Sequence, residues 1–151
     1  MTTLAELVKD LPWGLHDAHL EGLSIDWLAQ TVTLVVRFPM TKRQDVERRA
    51  EVRVSGLFFC AVDPPLLTAG YDLDDSSEGL WIDGGEGPAK EVTGLPALPP
   101  DVFLHHIYVS NWNYRAIHIA GRDAQLRWLD DEAPRKGPGG ALFPGDEIPG
   151  P

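Results

Sequence analysis

Two periods of apolar and polar alternation run along this chain, and the change from one to the other divides it. Between Thr3 and Lys9, Leu4, Leu7 and Val8 recur at helical spacing and Leu11 continues the stripe. Thr3 stands where an N-cap belongs, with Glu6 three residues on in the capping-box position. Pro12 and Gly14 stop the pattern, which predicts one short N-terminal helix.

From Leu23 the period is two. Leu23, Ile25 and Trp27 alternate with Ser24 and Asp26, then Val32, Leu34, Val36 and Phe38 alternate with Thr31, Thr33 and Arg37. Alternation of this kind marks half-buried strands, and the short Leu28-Ala29-Gln30 link makes them a hairpin. Ala50 to Phe59 reads as a third strand, with Val52, Val54 and Phe58 inward and Glu51, Arg53 and Ser55 toward water. Residues 63–101 hold Pro64, Pro65, Pro88, Pro96, Pro99 and Pro100 among many glycines, which predicts long loops. Within them only 79–82 and 90–93 have strand character. Phe103 to Val109, Tyr114 to Ala120 and Ala124 to Leu129 are β-rich again. The turn residues at 110–113 and 121–123 make a three-stranded meander the simplest expectation.

The sum is a mainly β fold: roughly six antiparallel strands in a sandwich or half-open barrel, one short helix and a Pro/Gly-rich middle. A single domain over 1–129 is expected, followed by a tail, 130–151, with five prolines and five glycines that is expected to be disordered or loosely docked.

Composition narrows the chemistry. Of 151 residues 43% are hydrophobic, enough for one core without staples. Thirteen Lys and Arg against 23 Asp and Glu give a net charge of −10, which disfavours nucleic acid and anionic membranes as partners. Cys60 is the sole cysteine, so there is no intramolecular disulfide and no CxxC motif. The opening residues carry Glu6, Lys9 and Asp10 rather than a signal-peptide pattern, and no apolar run nears the roughly 20 residues that span a bilayer. A cytoplasmic address is the expectation.

No catalytic motif is legible. Five histidines fall in three places: His16 with His19, His105 with His106, and His118. A metal needs three or four ligands converging on one point, and strand geometry sends His105 and His106 to opposite faces. With no HExxH, HxH or Cys/His pairing, neither a metal nor a cofactor is expected. Cys60 sits on the apolar run 57–61, where a thiol behaves as a buried hydrophobe with a raised pKa. The glycines of 83–87 lack the Lys-Ser/Thr of a phosphate loop. The acids of 71–77 lack the glycine and closing glutamate of a calcium loop.

Charge distribution says more. No Lys or Arg occurs between Arg53 and Lys90, while Tyr71, Asp72, Asp74, Asp75, Glu78 and Trp81 combine acids with aromatics. Such a stretch suits docking to a basic protein, because charge speeds encounter and aromatics anchor it. A second constellation, His16, Asp17, His19, Trp112, Asn113 and His118, is the candidate binding set. In the alternative reading those side chains line the pocket of a small-molecule or metal-dependent enzyme. A third reading is a structural subunit whose apolar sheet face pairs with itself.

Two short motifs carry a resemblance: Leu15-His16-Asp17-Ala18 before a strand hairpin, and the run 107–113 (Ile-Tyr-Val-Ser-Asn-Trp-Asn) leading to Ile117-His118-Ile119. They resemble small bacterial families of uncharacterised function, the immunity-protein-like domains of polymorphic toxin systems and the YxiG-like proteins. The resemblance implies a small β-rich cytoplasmic protein that neutralises a toxin by binding it, with His16, Asp17 and Trp112 as the matching positions. An acidic middle fits a basic toxin-like partner.

Overall fold

The first thirty-nine residues set out one helix and one hairpin, and the rest of the fold is built around them. In the computed structural model, which describes residues 1–62, 80–82, 97–110 and 115–129, α1 spans Leu4–Val8. The capping box forms as its sequence predicts: the Thr3 hydroxyl accepts from Glu6 N at 3.1 Å, and Glu6 Oε2 accepts from Thr3 N at 2.9 Å. Leu4 and Val8 are fully buried.

β1 (His19–Asp26), β2 (Thr31–Pro39) and β3 (Glu47–Ser55) pair antiparallel in sequence order. β2 shows the alternation most cleanly: Val32, Leu34, Val36 and Phe38 are all at or below 1% exposure, and Thr31, Thr33, Val35 and Arg37 are half-buried on the other face. Full burial of each such side chain contributes about 1.5–3 kcal/mol, so this row is the floor of the core. β1 starts at His19, ahead of the expected Leu23, and a bulge between Leu20 and Gly22 pushes Glu21 out of register. Trp27, expected inward, lies instead in the turn and is 71% exposed, because β1 ends at Asp26.

The expected third strand is two. Gly56 takes φ +59, β3 ends at Ser55, and β4 (Phe59–Val62) joins a different sheet. Phe58, expected to face in, sits at the bend and is 39% exposed. One sheet runs β5-β1-β2-β3-β8, where β5 is Leu80–Trp81 and β8 is Asp123–Trp128; the other runs β4-β7-β6, with β6 at Phe103–Val109 and β7 at Arg115–Gly121. β6 and β7 form the expected hairpin. β8 does not continue a meander: it leaves β7 after one residue, Arg122, and pairs with β3. A one-residue link cannot reverse a chain, so Gly121-Arg122-Asp123 is a corner between sheets.

Both strands of the β3/β8 pair thus bend at the same place into the β4/β7 pair. Arg122 fastens the bend: its N–H donates to Ser55 O at 2.9 Å, its Nη1 to Gly56 O at 3.1 Å and its Nε to Asp101 Oδ2 at 2.9 Å. That guanidinium holds the Asp101 carboxyl below its usual range. On the far side the sheets meet again at Ile82, which exchanges backbone hydrogen bonds with Asp17 and Ala18 and bridges to Val109. The outcome is two antiparallel sheets folded over one core, without closure into a barrel. The strand expected at 90–93 and the tail lie outside the described residues.

At Gly121 an added Cβ would overlap Val54 Cγ1, so the two strands pack closer there than any side chain permits. Gly121→Ala is expected to cost about 1–3 kcal/mol through overpacking. The increment should shrink in a Val54→Ala background, and denaturant unfolding of the four proteins checks it; equal increments in both backgrounds would refute the contact as the cause.

Candidate functional site

The residues singled out from the sequence fall at three places. His16 and Asp17 occupy the turn before β1. Asp17 takes the left-handed conformation at φ +58, which aspartate tolerates better than most residues. Its Oδ2 accepts from Gln44 Nε2 at 2.7 Å and lies 3.6 Å from His16 Nε2. The Trp13 indole donates to Thr41 O at 2.8 Å, so two side chains tie this turn to the β2–β3 connection. Asp17 and Trp13 therefore serve as a clamp between loops, with His16 beside the Asp17 carboxylate.

His19 begins β1 and is buried against Trp81, ring centroids 4.3 Å apart and nearly perpendicular. Its Nδ1 is 3.3 Å from Glu47 Oε2. Beyond it the outer face of the larger sheet is a ladder of ion pairs. The bulged Glu21 takes Arg37 Nε at 2.7 Å and Arg49 Nη2 at 2.9 Å, while Glu51 takes Arg53 and Arg127, each at 3.1 Å. These groups are partly exposed, so each pair contributes at most about 1 kcal/mol. Glu51, Arg53, Gln125, Leu126 and Arg127 line an open groove of about 130 Å³, smaller than the roughly 300 Å³ of a small-molecule pocket. Its charges already answer one another.

His118 lies on β7 directly opposite His106 on β6. Their Nδ1 atoms approach to 2.5 Å with the rings near perpendicular, and both side chains are buried. At that separation only one Nδ1 can carry hydrogen, so the pair fixes one donor and one acceptor tautomer. The sequence foretold that His105 and His106 diverge. It could not show that His106 and His118 meet, because cross-strand register is set by the β6–β7 turn. His105 faces the core beside Phe103 and Ile107, 5% exposed, and its Nε2 has no hydrogen-bond partner among the described residues. Burial, with the neighbouring His106 adding to it, pushes the His105 imidazole down to about 4.

Cys60 faces the same core, and burial pushes its thiol up, as expected. Among the described residues no group of three His, Cys, Asp or Glu could hold a metal ion. Trp112 and Asn113 lie outside the described residues, as do Tyr71, Asp72, Asp74, Asp75 and Glu78; Trp81 is described, half-covered by His19.

Sequence reasoning missed an exposed apolar pair among the described residues. Trp27 and Leu28, 71% and 99% exposed, form the apex of the β1–β2 hairpin. Asp26 Oδ1 accepts from Leu28 N and Ala29 N, both at 3.0 Å, and Gln30 turns the chain back at φ +54. Gln30 O in turn accepts from Leu57 N at 2.9 Å, which seats the hairpin next to the corner that carries the exposed Phe58. The available signal was Asp26 itself, a residue whose carboxylate commonly opens such a turn.

His106→Leu or His118→Leu alone takes the ring partner from a buried imidazole and is expected to cost about 1–3 kcal/mol. The double variant should cost less than the two together by at least about 0.5 kcal/mol. Strictly additive losses in a denaturation cycle would show that the pair is not coupled.

No protein-family model matches the chain, and no curated protein matches it. Among solved structures, an uncharacterized protein from Neisseria gonorrhoeae is similar over 74% of this chain and 91% of that one, at 11% identity and a TM-score of 0.38, too distant to carry an argument.

Proposed function

We propose that this protein is a non-catalytic cytoplasmic binding module that engages a basic protein through the apex of its β1–β2 hairpin. The observation that carries the reading is the exposure of Trp27 and Leu28 on a loop that is already held in shape. Large apolar side chains on a preorganised turn bind with little further ordering, and tryptophan is the residue type most enriched at the energetic centres of interfaces. Phe58 extends the apolar surface from the adjoining corner.

Charge supports a basic partner, though from a different part of the chain. The described residues carry ten acids and ten bases, so the net −10 resides in 63–79, 83–96, 111–114 and 130–151. Opposite charge on a partner would raise the rate of encounter, and the apolar apex would then slow its departure. The resemblance to immunity-protein-like domains points to the same class of partner, a toxin-like basic protein. The His16, Asp17, His19 and His118 side chains make loop, packing and strand contacts that support this reading over an enzyme pocket. Among the described residues no helix is long and apolar enough to cross a membrane.

A Trp27→Ser/Leu28→Ser double variant should fold as the parent does, because both side chains are exposed. In pull-downs from the native host, the parent is expected to capture a basic protein at low salt and lose it at high salt. Titration of that purified protein should show at least about tenfold weaker binding by the double variant. Equal affinity for parent and variant would overturn the apex as the contact, and salt-independent binding would overturn the charge argument.

A further inference from the structure

We propose that the β6–β7 hairpin is an acid-release element: protonation of His105 on its core face frees β6 from β7 while the larger sheet stays paired. β6 is an edge strand of the smaller sheet. Its backbone ladder is to β7 alone, and beyond that it is held by the Val109–Ile82 bridge, the Ser110 hydroxyl donating to Trp81 O at 3.2 Å, and the packing of Phe103, Ile107 and Val109 on the core. In the middle of this edge strand sits an imidazole that is only 5% exposed, with Nε2 unpartnered among the described residues.

Nothing that faces His105 among the described residues would compensate a positive charge. On its own strand the neighbours along the core face are Phe103 and Ile107, and on β7 Ile117 and Ile119 lie beside it. Cys60, next in the same row on β4, stays a neutral thiol because burial raises it. Across the core, α1 and the larger sheet present aliphatic side chains and Phe38. The charged group on that inner side is Arg48, stacked 4.1 Å over Trp128, and it is itself positive. On the opposite face of β6, His106 is bound to His118, so a proton on the adjacent pair adds like charge. The two outcomes open to the protein in acid are to exclude the proton or to move the strand into water.

The direction follows from the shift. His105 binds a proton less readily when folded than when released, so its contribution to holding β6 is complete above about pH 6.5 and is lost as pH falls toward 4. Between pH 7.5 and 4.5 the open population should rise roughly 70-fold, the slope approaching tenfold per unit only between the two pKa values. Opening bares Ile107, Val109, Ile117 and Ile119, a continuous apolar surface that is covered at neutral pH.

Native-state amide exchange at pH 7.5 and 4.5, corrected for intrinsic rates, tests this. The β6 amides and their β7 partners are expected to lose protection roughly 70-fold, against less than about tenfold for β2 and β3. His105→Leu, which suits the apolar face, and His105→Gln, which keeps a neutral polar group, should each abolish the excess loss in β6. If one variant fails to fold, the other decides. Loss of protection in β2 and β6 together, or an undiminished acid loss in β6 of the folded variants, would overturn the proposal.

Discussion

The fold depends on one close approach: Gly121 against Val54, at the place where two paired strands turn together from one sheet into the other. A pair of β-strands can change sheets only if both bend at the same level, since otherwise one ladder breaks before the next begins. Gly56 supplies the bend in the outer strand with a left-handed backbone, and Gly121 supplies the room for the inner one. Arg122 then satisfies the carbonyls that the bend strips from the ladder, at Ser55 and Gly56. Everything else follows from the angle so fixed. The smaller sheet lies over the β2 row, Ile82 spans the gap at the far edge, and the helix fills the space beside β8.

How far this was legible depends on whether the signal was local. The helix, the β1–β2 hairpin and the β6–β7 pair were readable, because capping residues and period-two alternation act within a few positions. The corner was not. Alternation continues from Val52 through Phe58 as though Gly56 were an ordinary strand residue, and Gly121-Arg122-Asp123 has the composition of a hairpin turn. What distinguishes a corner from a turn is the partner on the next strand, and that contact is long-range. The same limit applies to the histidines. Face assignment followed from strand geometry, whereas the meeting of His106 and His118 required the register of two strands.

The apex of the first hairpin failed to register for a different reason. Trp27 sits two residues after Ile25, so alternation placed it in the core, while the Asp26 carboxylate ends the strand one residue earlier by capping Leu28 and Ala29. A side chain-to-backbone competition of this kind is invisible to a periodicity count. It is also what turns a would-be core tryptophan into the most exposed aromatic among the described residues.

Charge is unevenly distributed along the sequence. The described residues are electrically balanced, with Glu21 and Glu51 each answering two arginines across the outer face of the larger sheet. An even ladder of this kind discourages strand faces from associating with like surfaces, and it contributes little stability beyond that. In the proposed docking, the acidic excess raises the field that an approaching cationic partner would sense at long range, while the apolar side chains of Trp27 and Leu28, with Phe58 at the adjoining corner, act on contact. Under that proposal steering and anchoring would sit on different segments and be separable by salt, because screening slows encounter more than it weakens apolar burial.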